Sequence, residues 1–116
     1  MVSDYAPIPA KEAIPTSEVY AKKALAIDNT LAEAHAALGI DYDGDLDWSA
    51  AGREYERALE LNPNLSRTHV LYGLHFGYLG NDDQAILHFK RAVELDPLNL
   101  NATQNLAMEY LATKAN

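Results

Sequence analysis

Displaced by 34 residues, this chain falls on itself without a gap. Gly39 lands on Gly73 and Ala107, Tyr42 on Phe76 and Tyr110, and Ala24 on Ala58 and Ala92. Ala51 lands on Ala85, Tyr55 on Phe89, and Pro63 on Pro97, with Asn29 in the slot before. Ala58-Leu59-Glu60-Leu61-Asn62-Pro63 and Ala92-Val93-Glu94-Leu95-Asp96-Pro97 are near copies, and Ala24-Leu25-Ala26-Ile27-Asp28-Asn29 is a weaker third. A period of this size implies one supersecondary unit stacked on copies of itself, each burying its apolar face on the next.

Each matched residue has a physical task. The small residues Gly39, Gly73, Ala51, Ala58, Ala85 and Ala92 stand where two helix backbones must approach closely. The aromatic Tyr42, Phe76, Tyr55 and Phe89 fill the spaces between those helices. Pro63 and Pro97 cannot continue a helix and mark two stops. The spacing predicts helices over 30–43, 47–61, 65–79, 82–95 and 99–113, with Thr16 to Ile27 as an earlier one. Asp47 is placed to cap the helix opened by Trp48. Asn81 followed by Gln84 reads as an N-cap with its reciprocal partner.

Composition narrows the function. The 17 acidic and 9 basic residues give a formal net charge of −8, so direct nucleic-acid binding, which needs clustered Lys and Arg, is not expected. No apolar run is long enough to span a membrane, and Met1 to Pro7 has neither the basic start nor the apolar core of a signal peptide. The expected location is the cytoplasm. With no Cys, disulfides, thiolate zinc sites and thiol catalysis are excluded.

The repeat resembles the tetratricopeptide repeat, a 34-residue helix–turn–helix unit with the pattern W-x2-L-G-x2-Y…A-x3-F…P. Leu38-Gly39, Tyr42, Ala51, Tyr55 and Pro63 carry it in one copy, and Gly73, Phe76, Ala85, Phe89 and Pro97 in the next. His35 and His69 stand where the pattern has Trp, and Tyr72 where it has Leu. All three are bulky enough for a packed position. The resemblance implies an all-α fold, a right-handed superhelical solenoid of antiparallel helix pairs. One domain over 1–116 is expected. It holds two full repeats (32–65 and 66–99), preceded by the second helix of an incomplete repeat (7–29) and followed by the first helix of another (100–116). No polar capping helix closes either end, so the chain reads as a segment of a longer array. Gly44-Asp45-Leu46-Asp47-Trp48-Ser49-Ala50-Ala51 with Glu54, the stretch from Ala58 to Asn64, and Ala10-Lys11-Glu12-Ala13 are similar to the repeats of multidomain bacterial regulators. That second resemblance covers roughly residues 7–100.

In this family the first helix of each repeat lines a concave groove. By its repeat positions, the groove would be lined by Glu33, Ala36, Ile40 and Asp43, then Arg67, Val70, Leu74 and Tyr78, then Asn101, Gln104 and Met108. The partner-binding residues are expected to be Ala36, Ile40, Arg67, Val70, Leu74, Tyr78, Gln104 and Met108. Family members that bind chaperones clamp an acidic tail with Lys, Asn and Arg there. Ala36, Ile40, Val70 and Leu74 cannot do so, and Arg67 alone is no clamp.

Other chemistry finds little support. Counted from Asp41, the sixth and twelfth residues of the acidic run are Leu46 and Gly52, where a calcium loop needs Gly and Glu. His35 and His69 are explained by packing, and His75 and His88 are expected at the surface or in the groove. No HExxH, G-x-S-x-G, Walker or dinucleotide glycine pattern occurs. Neither enzyme activity nor a metal or other cofactor is expected. Trp48, the sole Trp, is expected to pack on the preceding helix or turn, or to anchor an interface. The expected function is a scaffold binding a protein or peptide partner in the groove, within a larger bacterial regulatory protein. A second reading is a self-association or spacer module, a homo-oligomer formed through open repeat ends. A third is an effector-ligand sensing segment of a regulator.

Overall fold

The computed structural model describes residues 17–27 and 31–114. The described residues form six helices and no strand: α1 (Ser17–Ile27), α2 (Ala32–Gly44), α3 (Trp48–Leu61), α4 (Ser66–Tyr78), α5 (Asp82–Leu95) and α6 (Leu100–Lys114). Each helix packs on the next in sequence, and the first helices of successive repeats also touch, α2 on α4 and α4 on α6. This is the superhelical stack of antiparallel pairs that the repeat predicts. Ala10 to Ala13, Pro15, Thr16 and Asn29 lie outside the described residues.

The second helix of each repeat has one apolar stripe. In α3, Ala50, Ala51, Tyr55 and Ala58 are buried while Arg53, Glu56, Arg57 and Glu60 face solvent. In α5, Ala85, Phe89 and Ala92 repeat the stripe against exposed Asp83, Lys90, Arg91 and Glu94. A helix with this pattern can bury only one side. By contrast, α2 and α4 have no such division, because each packs against helices on more than one side.

Two glycines set how closely the pairs approach. A Cβ on Gly39 would lie 2.5 Å from the Tyr55 ring, and one on Gly73 would lie 2.5 Å from the Phe89 ring. The partnership of small residue and aromatic is therefore the same in both repeats.

The turns follow from local chemistry. Asn62 (φ −150°, ψ 97°) and Asp96 (φ −146°, ψ 91°) are extended, as a residue before proline must be, so α3 and α5 end there. The side chains of Asn62 and Asp96 then accept from the N–H groups of Asn64 and Leu98. Asp47 caps α3 by accepting from Ala50 N–H at 3.3 Å, and Asn81 caps α5 through Gln84 N–H at the same distance. The expected reciprocal bond from Gln84 is replaced: Asn81 N–H donates to the Phe76 carbonyl at 2.9 Å. Helices α2 and α4 begin one or two residues later than predicted, because Leu31 and Leu65 are extended and offer no capping oxygen. Asn99 occupies the equivalent place before α6 and does cap it, accepting from Ala102 N–H. It also donates to Ser66 Oγ, which in turn donates to the Ala92 carbonyl. This chain of bonds ties the start of α4 to the end of α5 and the start of α6.

Candidate functional site

An opening lies between the C-terminal halves of α2 and α4, beside the α2–α3 turn. The opening is a pocket of about 470 Å³ lined by Ile40, Asp43 and Gly44 of α2, Leu46 of the turn, Trp48 and Tyr55 of α3, and Leu71, Leu74 and Tyr78 of α4. Apart from Asp43 its walls are mostly aliphatic and aromatic, and no Lys or Arg is among them. Trp48 stands against two α4 rings, with centroids 6.1 Å from Tyr78, which lines the pocket, and 6.4 Å from His75 behind it.

One wall is polar, and its polar atoms are paired. Asp43 is only 7% exposed and His75 3%. His75 Nδ1–H donates to Asp43 Oδ1 at 2.7 Å, and Tyr55 O–H donates to Asp43 Oδ2 at 3.1 Å. A buried carboxylate is tolerated only when bonded in this way. Burial first, and the Asp43 carboxylate second, push the Tyr55 hydroxyl well above the ordinary phenol range, so it stays a donor. Three helices are thereby joined at one point: α2 through Asp43, α3 through Tyr55 and α4 through His75.

The predicted groove residues separate into three sets. Ile40 and Tyr78 are exposed on the pocket rim and Leu74 is half-buried in its wall. Arg67, Gln104 and Met108 are exposed but stand outside this pocket. Ala36 and Val70 are 2% and 6% exposed and present almost no surface. Asp43, placed in the groove by its repeat position, lies in the wall as the acceptor of the three-helix junction.

His75 and His88 correct the expectation that placed them at the surface or in the groove. His75 is buried because it turns toward the preceding repeat to reach Asp43. His88 is half-buried, its ring 4.7 Å from Tyr72, 5.6 Å from Phe76 and 5.3 Å from His69 by centroid. His69 Nε2–H donates to the Pro63 carbonyl at 2.9 Å, so a neutral His69 accepts at Nδ1 from His88 Nδ1–H at 3.1 Å. Burial, then the neighbouring His69, lower the His88 pKa to about 4. In the preceding repeat the same two positions are His35 and Glu54, bonded at 2.7 Å.

Sequence reasoning left Gly44, Leu46, Trp48, Tyr55 and Leu71 out of the groove. Leu46 is a non-glycine residue at φ 63° and is 69% exposed. The equivalent residue 34 positions on is Gly80, at φ 76°. The comparison of these two positions was the available signal.

No family model matches the chain. It is 29% identical over 90 residues to anaphase-promoting complex subunit 3 of Schizosaccharomyces pombe, covering 76% of this chain and 13% of that relative's length. The structure is similar to the crystal structure of MamA, with a TM-score of 0.72 and 26% identity over 81% of this chain and 55% of that one. It is also similar to the first TPR of Spaghetti (RPAP3) bound to the HSP90 peptide SRMEEVD, with a TM-score of 0.73 and 20% identity over 81% of this chain and 75% of that one. Read with the 34-residue pattern, these likenesses show that the chain has the tetratricopeptide-repeat fold, a superhelical stack of antiparallel helix pairs.

Proposed function

We propose that this chain is a protein-interaction scaffold that binds a peptide or partner helix at the pocket between α2 and α4. The observation that carries the reading is the pocket itself: a concave, largely apolar surface with exposed Ile40, Leu46 and Tyr78 at its rim and a fixed polar wall. Such a surface gains by burying apolar side chains of a partner, at roughly 25 cal/mol per Å². Peptide-bound RPAP3 shows that this fold accommodates a peptide ligand. SRMEEVD is rich in carboxylates, whereas the pocket here has no cation among its lining residues, so an acidic tail is not the ligand we propose. The groove residues outside the pocket, Arg67, Gln104 and Met108, would extend the contact.

The likeness of the Gly44-to-Asn64 stretch to repeats of bacterial regulators supports a place within a larger cytoplasmic regulatory protein. No helix among the described residues is long and apolar enough to cross a membrane.

The test is selection of displayed peptides on the immobilised chain, followed by binding to the Ile40→Asp, Tyr78→Ser double variant. Both side chains are exposed, so helicity is expected to persist. Affinity is expected to fall by at least about tenfold, the cost of losing one buried apolar anchor. Undiminished binding by a folded double variant would remove the pocket from the interface.

Self-association has one observation in its favour. Helix α6 exposes Leu100, Met108 and Leu111 together. A second copy seated there would make sedimentation concentration-dependent, and a strict monomer at high concentration would exclude it.

A further inference from the structure

We infer that the pocket accepts an apolar side chain carried by a cationic partner segment, and that Leu46 is a specificity-determining wall of that site. The inference rests on the proposed binding role of the pocket and adds the chemistry of the occupant.

The backbone of Leu46 is held in an unfavourable conformation. At φ 63° a leucine is held where its Cβ crowds the following carbonyl oxygen, a conformation that glycine adopts freely. The turn demands this conformation, since its counterpart Gly80 adopts it too at φ 76°. Glycine is therefore the residue that best suits the turn, and one repeat has it. In the other repeat the place is taken by a leucine whose side chain lies mostly in solvent on the pocket rim. Packing does not account for that choice, because a side chain so exposed buries little. Strain kept at an exposed apolar side chain on a pocket rim fits a binding role.

The charge around the pocket bears on the occupant as well. Asp43 forms one wall, and Asp45 and Asp47 are exposed in the adjoining turn. The carbonyl ends of α2 and α4 both lie at this end of the pair, and the N-terminus of α3 beside them is capped by the Asp47 carboxylate. No Lys or Arg lines the pocket to offset them. The other described cations are engaged elsewhere in part: Lys22 with Glu18, Arg57 with Glu60, and Arg91 with Glu94. An apolar cavity with Asp43 in its wall, exposed Asp45 and Asp47 beside it and no Lys or Arg in its lining selects an aliphatic or aromatic anchor next to Lys or Arg.

Trp48 is the only Trp in the chain and lines the pocket, so its emission reports occupancy directly. Three short amphipathic peptides without Trp serve as probes, with the same leucine face and with Lys, Gln or Glu on the other face. The Lys peptide is expected to shift Trp48 emission and to bind at least about tenfold more tightly than the Gln peptide, with the difference shrinking as salt is added. Leu46→Gly is expected to weaken the Lys peptide by about tenfold while raising the thermal midpoint, because it relieves the strained backbone. Leu46→Asn, which also tolerates positive φ, should act in the same direction on binding. Equal binding of the Lys and Gln peptides, with Leu46→Gly still harmful, would overturn the cationic specificity and leave the pocket standing. Lys-peptide binding indifferent to both Leu46 variants would mean diffuse attraction to an acidic protein and would overturn the inference. If no peptide moves Trp48 emission, the binding role of the pocket fails with it. Emission that changes with protein concentration alone would assign the pocket to a second copy of the chain and overturn the proposal.

Discussion

Gly73 and Gly77 stand one turn apart on α4, and alanine should have opposite effects at the two. At an unhindered helix interior, Gly→Ala gains about 1 kcal/mol, because glycine surrenders more backbone freedom on folding. At Gly77 the nearest atom to a new Cβ is Glu109 Oε1 at 3.6 Å, an ordinary contact at the end of a flexible side chain. Gly77→Ala should therefore stabilise by up to about 1 kcal/mol. At Gly73 the same methyl would sit 2.5, 2.7 and 3.0 Å from three atoms of the Phe89 ring. The first of these is about 1 Å short of the closest comfortable carbon–carbon separation. Phe89 is fully enclosed, packed with Val70, Ala85, Ala92 and Ala102, and has nowhere to turn. Accommodation requires α5 to move off α4, and overpacking of that kind costs about 1–3 kcal/mol and sometimes more. After subtracting the propensity gain, Gly73→Ala should come out destabilised by up to about 2 kcal/mol. The two variants should thus be separated by roughly 1–3 kcal/mol, or about 4 °C in thermal midpoint for each kcal/mol in a chain of this size. Urea denaturation followed by circular dichroism measures both, with unchanged m-values as the check on a common unfolding transition. A stabilised Gly73→Ala would refute the claim that the glycine exists to admit the Phe89 ring. A destabilised Gly77→Ala would show that the cost lies in the helix and not in the contact.

Two further outcomes follow from the buried polar groups. His88 titrates at about 4 in the folded chain against an ordinary value near 6.5, so the unfolded chain binds the extra proton first. Its contribution is intact above about pH 6.5 and is lost as pH falls toward 4. After allowance for partial solvent screening, the loss should be about 1–2 kcal/mol, visible in denaturation midpoints across that window. The slope should vanish at this step in His88→Gln, and a wild-type midpoint flat between pH 6.5 and 4 would contradict it. Tyr55→Phe should cost about 1–3 kcal/mol, because it leaves Asp43 Oδ2 buried without its donor. A variant as stable as wild type would show that solvent satisfies that oxygen instead.

The fold was legible because its determinants are local or periodic. Gly39 with Tyr55 and Gly73 with Phe89 repeat as pairs. Asn62 and Asp96 stop their helices through the prolines that follow, and Asp47 and Asn81 cap from within four residues of their donors. The binding surface was less legible, because it depends on how neighbouring repeats touch. Ala36 and Val70 occupy positions that face the groove in the general pattern, yet here both are enclosed. His75 reads as an exposed polar residue until its partner Asp43, 32 positions earlier, is brought beside it by the packing of α2 on α4. The role of Leu46 required knowing that the turn imposes a positive φ, which a leucine does not announce.

The departures from repetition carry the argument for function further than the repetition does. Stacking two like units would create a cleft between α2 and α4 and a similar one between α4 and α6, with the same chemistry in each if the clefts were mere by-products. They differ at every polar position. Asp43 corresponds to Gly77, Tyr55 to Phe89, Leu46 to Gly80, and the neighbours Trp48 and His75 to Asp82 and Glu109. At the second cleft Glu109 has a raised pKa because it is partly desolvated and hydrogen-bonded to Asp82, a carboxyl pair where the first cleft has two rings in contact. Of the apolar frame, Ile40 corresponds to Leu74 and Leu74 to Met108, while Leu71 gives way to Asn105. Selection for folding alone accounts for the shared part of the frame, since both repeats must pack by the same geometry. It does not account for a strained leucine, a solitary tryptophan and a three-helix carboxylate junction assembled around one cleft. That concentration is the physical reason to look for the partner there first, and to treat the Leu46 variants as the most informative single substitutions in the chain.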